Sequence, residues 1–139
     1  MVSPSSPCIS VALILAICAE TYAAESVAPY VQTAAEDVEL ILDLAELKPH
    51  DYLIDLGSGD GRFVIAAGQR GAMAHGVELN PELAALATKN AKAASVDDKV
   101  SFLTGDIFDA DIQHASVIII YLFPEANIQL RPKLLSELK

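Results

Sequence analysis

The segment Asp55-Leu-Gly57-Ser-Gly59-Asp-Gly61 constrains this chain more than any other. Three glycines in five positions follow a short apolar run, Tyr52-Leu-Ile-Asp55, and precede a helical pattern that starts at Arg62. Glycine alone tolerates left-handed backbone and lets a ligand come close to the main chain. A helix that begins straight after such a turn presents free backbone N–H groups. The spacing is G-x-G-x-G, so the third glycine comes one residue too early for a dinucleotide fingerprint. An acid at Asp55 would also repel a pyrophosphate, which argues against a nicotinamide-dependent oxidoreductase, but it suits the cationic amino group of an amino-acid-like ligand.

The rest of the pattern places this turn in a parallel sheet. Thr33-Ala-Ala-Glu36 reads as a capping box for a helix carrying Val38, Ile41, Leu42 and Ala45, stopped near residue 47 by Lys48-Pro49. After the strand at 52–55 and the glycine turn come a helix at 62–70 ended by Gly71 and a strand at 72–78. Asn80-Pro81-Glu82 then opens a helix running to about Ala94, with a cap residue, a first-position proline and a first-turn acid. A strand at about 99–103 and a β-branched strand at 116–121 (SVIIIY) follow. Pro124-Glu125 starts a last helix, in which Pro132 predicts a kink or break. Strand–helix alternation of this kind is α/β, with right-handed crossovers that put every post-strand loop at one sheet edge.

Four features fall at that edge. Asp55 and its glycine turn come first. Glu78 ends the second strand, 21 positions beyond Gly57, where a carboxylate can accept both hydroxyls of a ribose. Gly105-Asp106 follows the third strand, where the carboxylate can accept from an exocyclic adenine amine. Tyr121-Leu-Phe-Pro124-Glu125 follows the fourth, where an aromatic ring and backbone carbonyls can face a transferred group. An amino acid, a ribose and an adenine without phosphate describe S-adenosylmethionine.

On these residues the chain resembles a class I S-adenosylmethionine-dependent methyltransferase. The glycine turn is similar to that family's first motif, Glu78 to its ribose acid and Asp106 to its adenine residue. Pro29-Tyr-Val-Gln-Thr33, the run from Asp55 to Arg62, Gly76-Val-Glu-Leu-Asn-Pro81, Tyr121-Leu-Phe-Pro-Glu125 and Leu130-Arg-Pro-Lys-Leu134 narrow the likeness. They resemble the small methyltransferases related to the ATP-synthase c-subunit lysine methyltransferase, with Gln32 and Ala34 standing where proline is common. The resemblance implies a Rossmann-like sheet of order 3-2-1-4 for the part present. The chain ends at Lys139, ahead of strands five to seven, so the expectation is an apolar open edge on strand four. It implies S-adenosylmethionine as donor, held by Asp55, Gly57, Ser58, Gly59, Gly61, Glu78, Leu79, Asp106 and Ile107. It also implies a protein lysine as acceptor, with Tyr121, Phe123 and Pro124 as candidates for holding the amine.

Residues 9–19 (ISVALILAICA) are an uncharged apolar run of signal-peptide length, with Thr21-Tyr22-Ala23 offering a cleavage point. The expectation is a signal peptide or short membrane anchor at 1–23, a donor-binding domain at 24–139, and an exported or membrane-anchored protein. Both cysteines, Cys8 and Cys18, lie in that first segment. Nine Lys and Arg against 19 Asp and Glu give a formal charge of −10, which argues against gripping nucleic acid through a basic surface. Asp106, Asp109 and Asp111 lack the glycine and closing Glu of a calcium hand, and His50, His75 and His114 lack metal spacing, so no metal is expected. Glu125 reads as a helix first-turn acid. The alternative function is a catalytically inactive exported or anchored binding module that keeps the fold.

Overall fold

The computed structural model describes residues 32–138, arranged as four parallel strands with helices on both faces. The expected N-terminal segment at 1–23, both cysteines and the Pro29-Tyr-Val part of the resemblance lie outside the described residues.

The elements in chain order are α1 (Ala35–Leu44), β1 (Tyr52–Leu56), α2 (Arg62–Gln69), β2 (Met73–Glu78), α3 (Pro81–Ala93), β3 (Val100–Thr104), β4 (Val117–Ile120) and α4 (Pro124–Glu137). The strand order is β3-β2-β1-β4, as the resemblance implies, and every neighbouring pair is parallel. Register sets Asp55 opposite Gly76 on one side and Ile119 on the other, so β1 sits between β2 and β4 with its carboxyl end central. This is the Rossmann-like class I methyltransferase sheet.

Side chains alternate between two apolar layers. Leu53, Val117 and Ile119 pack with Val38 and Leu42 of α1, Phe63, Val64 and Ala67 of α2, and Ala91 of α3. Ile54, Leu56, Val77, Ile118 and Ile120 pack on the opposite face with Leu130 of α4 and with Ala110, Ile112 and Ala115 from the β3–β4 connection. Apolar residues at consecutive strand positions therefore mean burial on both faces, as SVIIIY suggested.

The three helices of the first layer end alike. Glu46, Gly71 and Ser95 follow α1, α2 and α3 with φ of 51°, 88° and 57°. The next N–H in each case closes a six-residue turn: Leu47 to the Leu42 carbonyl at 3.2 Å, Ala72 to Ala67 at 3.1 Å and Val96 to Ala91 at 3.1 Å. These are Schellman caps, which glycine fits best, yet two of the three carry a side chain.

Several local expectations need correction. The capping box at Thr33 does not form: the α1 cap is Ala34, with no side-chain bond to the helix. Thr33 instead offers its carbonyl to Arg62. Helix α1 ends at Leu44 and not near 47, because the left-handed residue at Glu46 turns the chain before Pro49. Pro132 does not end α4, which continues to Glu137; only the bond that its missing N–H would make is forgone. The β3–β4 connection, read as a loop, contains a single 3-10 turn at Ile107–Asp109.

Glycine relieves left-handed backbone at the α3 terminus. We expect Ser95→Gly to raise the unfolding free energy by about 0.5–1 kcal/mol, measured by urea denaturation. A decrease would mean that the Ser95 side chain contributes more than its backbone costs.

Candidate functional site

The loops after β1, β2 and β3 meet around Glu78. Its Oε2 accepts the Gly59 N–H at 2.8 Å and its Oε1 accepts the Asn80 N–H at 2.9 Å. Its own carbonyl accepts the Gly105 N–H at 3.0 Å. One residue earlier, the Val77 carbonyl takes both Gly57 N–H at 2.8 Å and Ser58 N–H at 3.1 Å. The end of β2 is therefore the post to which the glycine turn is tied, and parallel pairing of β2 with β1 and β3 puts the three loops within its reach.

Missing side chains make this closeness possible. A Cβ on Gly76 would lie 2.5 Å from the Ser58 Oγ and 2.7 Å from the Phe102 ring, so the Ser58 side chain folds into the space that Gly76 vacates. Gly61, at φ 87°, leaves room for the edge of Phe102 in the same way. A Cβ on Gly57 would meet Leu122 at 2.7 Å, which shows that the loop after β4 lies against the glycine turn. All four predicted features thus share one sheet edge.

The electrostatics are those of a shelf for a cation. Asp55 is buried, 2% exposed, and among the described residues no hydrogen bond or ion pair reaches its carboxylate. Burial first, then the nearby charges of Glu78 and Asp60, push its pKa up to about 8. A carboxyl in that state takes up a negative charge readily only when a positive group arrives. Glu78 keeps lone pairs free after accepting two N–H groups, enough for two hydroxyls. The Ser58 Oγ is buried with no hydrogen-bond partner among the described residues. Asp60, in the same turn, is paired with Arg62.

The remaining predicted residues are placed as follows. Leu79 stands beside Glu78 and is 71% exposed, an apolar surface next to the acid. Asp106 is exposed and caps the 3-10 turn through the Phe108 N–H at 3.0 Å, with Gly105 tying it to Glu78. Ile107 follows Asp106 at the start of the 3-10 turn, and its partly buried side chain packs against the second apolar layer. Tyr121 and Phe123 are 40% and 58% exposed on the loop after β4, and Pro124 begins α4 beside them. Reading the sequence missed Asp60 and Arg62 as a pair; an acid and a base two positions apart across the last glycine were the available signal. It also missed Leu122, whose contact with Gly57 no local pattern announces. His75 and His114 share a groove with Asp111 on the second face, but among the described residues no group of three or more could hold a metal ion.

Comparison with known proteins agrees with this geometry. The ANTKMT methyltransferase domain matches residues 55–139. The chain belongs to that family. It is 37% identical over 113 residues to a protein-lysine N-methyltransferase of Saccharolobus islandicus, covering 80% of this chain and 70% of that protein. It is 38% identical to the adenine nucleotide translocase lysine N-methyltransferase of Mus musculus, of which it spans 48%. Among solved structures, one from Salinibacter ruber, named as an RNA methyltransferase in complex with S-adenosyl-L-homocysteine, is 47% identical with a TM-score of 0.77. That likeness covers 78% of this chain and 72% of the other.

Two outcomes follow for this methyltransferase domain. Gly76→Ala must displace Ser58 or Phe102, so it should lower stability by about 1–3 kcal/mol in denaturant titrations. Wild-type stability would show that the turn relaxes freely. For Asp55, the folded domain holds a proton between pH about 4 and about 8 that the unfolded chain has already released. More protons in the folded state mean that this group's contribution to stability falls as pH rises through that window and levels off above it. Thermal melts of wild type should therefore fall relative to Asp55→Asn between those pH values. Parallel curves would show that Asp55 stays charged.

Proposed function

We propose that this domain binds S-adenosylmethionine on the Asp55–Glu78 shelf and transfers its methyl group to a protein lysine. The observation that carries the lysine acceptor is the likeness to the Saccharolobus protein, which is named for that activity and matched over 70% of its length. The chain spans about half the length of the mouse relative.

The residues on the shelf fit the donor. Asp55, once ionised, takes an ammonium in a place where water does not compete. Glu78 has room for two ribose hydroxyls, with the Gly59 and Asn80 N–H groups fixing its orientation. Leu79 offers an apolar flank, and Asp106 has an acceptor for an exocyclic amine. When bound, the donor supplies a methyl group already activated by a sulfonium. The protein's part is then orientation.

A lysine amine must first lose its proton, since its ordinary pKa is roughly 10.4. Tyr121 and Phe123 present exposed aromatic surface on the loop that lies against Gly57. Aromatic faces attract an incoming ammonium, and an apolar slot then favours its neutral form. The backbone around Phe123 and Pro124 is the candidate for holding the amine. An RNA acceptor is the second reading, favoured by the name of the Salinibacter protein. A chain of formal charge −10, with Asp106 and Asp109 after β3 and Glu125 in the first turn of α4, suits a cationic acceptor better than a polyphosphate. Names of relatives give no support to the inactive-module alternative. In the same proposal residues 9–19 export or anchor the domain; among the described residues no helix is long and apolar enough to cross a membrane.

Cell lysate incubated with the protein and methyl-tritiated S-adenosylmethionine tests the acceptor. The label should be removed by protease, survive ribonuclease, and appear as methyl-lysine after acid hydrolysis. Ribonuclease-sensitive label would replace lysine with RNA, and a protein unable to label anything would count against the activity itself.

A further inference from the structure

Arg62 joins three parts of the structure that meet beside the shelf. Its Nε donates to both carboxylate oxygens of Asp60, at 3.1 and 2.9 Å. Its Nη1 donates to the Thr33 carbonyl at 2.5 Å, two residues before α1 begins. Asp60 lies inside the glycine turn at 8% exposure, and its own carbonyl accepts from the Asn90 side chain of α3 at 3.1 Å. A single guanidinium therefore spans the glycine turn, the start of α2 and the entry to α1.

The other end of α2 provides a contrast. Arg70 follows it and bonds the Glu39 carbonyl and the Glu39 and Asp43 carboxylates on α1. Those side chains are 55% and 69% exposed, and none touches the shelf. Both arginines fasten α1 to α2, but only Arg62 does so through a buried acid of the turn.

That acid shares its turn with other carboxylates. Asp55 stands close enough to Glu78 and Asp60 for their charges to act on it. An unpaired carboxylate is costly to keep out of water. Without Arg62, Asp60 loses the ion pair that anchors it, and the turn residues on either side lose that anchor with it: Gly59, whose N–H holds Glu78, and Gly61, whose φ lets Phe102 in.

We infer that Arg62 is a positioning residue for the donor: by pairing with Asp60 and gripping the Thr33 carbonyl, it keeps the glycine turn in its ligand-ready shape and ties Thr33, just before α1, to the start of α2. This rests on the donor assignment proposed above. Its charge acts through Asp60 and its reach acts through Thr33, so the two halves separate by mutation.

Calorimetric titration of S-adenosylmethionine into wild type, R62A, R62K, R62A/D60N and R70A tests it, with near-ultraviolet circular dichroism to confirm the fold. R62A should weaken donor binding about tenfold or more, the loss expected for charge-assisted bonds. R62A/D60N should bind more tightly than R62A, because the carboxylate that Arg62 balances is gone. R70A should lose thermal stability and keep wild-type donor affinity. Wild-type affinity in R62A, or a double variant no tighter than R62A, or an R70A as weak as R62A, would each overturn the inference. Should R62A not fold, R62K decides: weaker binding with a native spectrum supports the two-sided grip, and unchanged binding overturns it. A wild-type protein that does not bind the donor overturns the site assignment and the inference together.

Discussion

The carboxylate of Glu78 holds the site in shape. One oxygen takes an N–H from the glycine turn and the other takes the N–H of Asn80, whose side chain caps α3 through the Glu82 N–H. The start of α3, the end of β2 and the middle of the turn are thereby fixed relative to one another. Everything else at this edge is adjusted to that knot. Gly76 is bare so that Ser58 can lie beneath the turn, and Gly61 is bare so that Phe102 can lie beside it. In the function proposed above the same acid takes the sugar hydroxyls, so its structural and proposed ligand roles use different lone pairs of one group.

Charge is distributed along the turn by depth. Asp55 is deepest and pairs with no cation among the described residues, while Asp60, nearer the helix start, has Arg62. Burial costs are met by protonation at the first position and by ion pairing at the second. A site arranged this way is short of one positive charge, and the ligand it calls for brings one. The arrangement would be a poor one for a phosphate, which is consistent with the early third glycine and with the family to which the chain belongs.

Much of this was legible in the sequence because the deciding features are local. The strand–turn–helix at 52–70, the Asn80-Pro81-Glu82 helix start and the β-branched run before Tyr121 each carry their own chemistry, and the strand order came with the resemblance. What escaped depends on distant packing. Thr33 looked like a cap, but its carbonyl is drawn to a guanidinium 29 residues away. The 3-10 turn that Asp106 caps, and the packing of the Ile107 side chain against the second apolar layer, are likewise set by contacts outside the motif. The left-handed residues at Glu46 and Ser95 are invisible to a reading that waits for glycine. Asp60 and Arg62 were in plain view inside the motif, and only the fold shows that they face each other.

The two sides of the sheet are built on different scales. On the first, Ala66, Ala67, Ala74 and Ala91 are all buried, and a methyl group on Gly68 would strike Val100 at 2.7 Å. Helix α2 lies nearly on the strands there, at a distance set by the smallest side chains available. On the second, one helix and an irregular connection cover the strands, and Leu103 and Met73 stay half in water. Sequence drift therefore has more room on the second side: a larger residue there has space to fill, whereas one more carbon in the alanine layer lifts α2, and with α2 goes the glycine turn that leads into it.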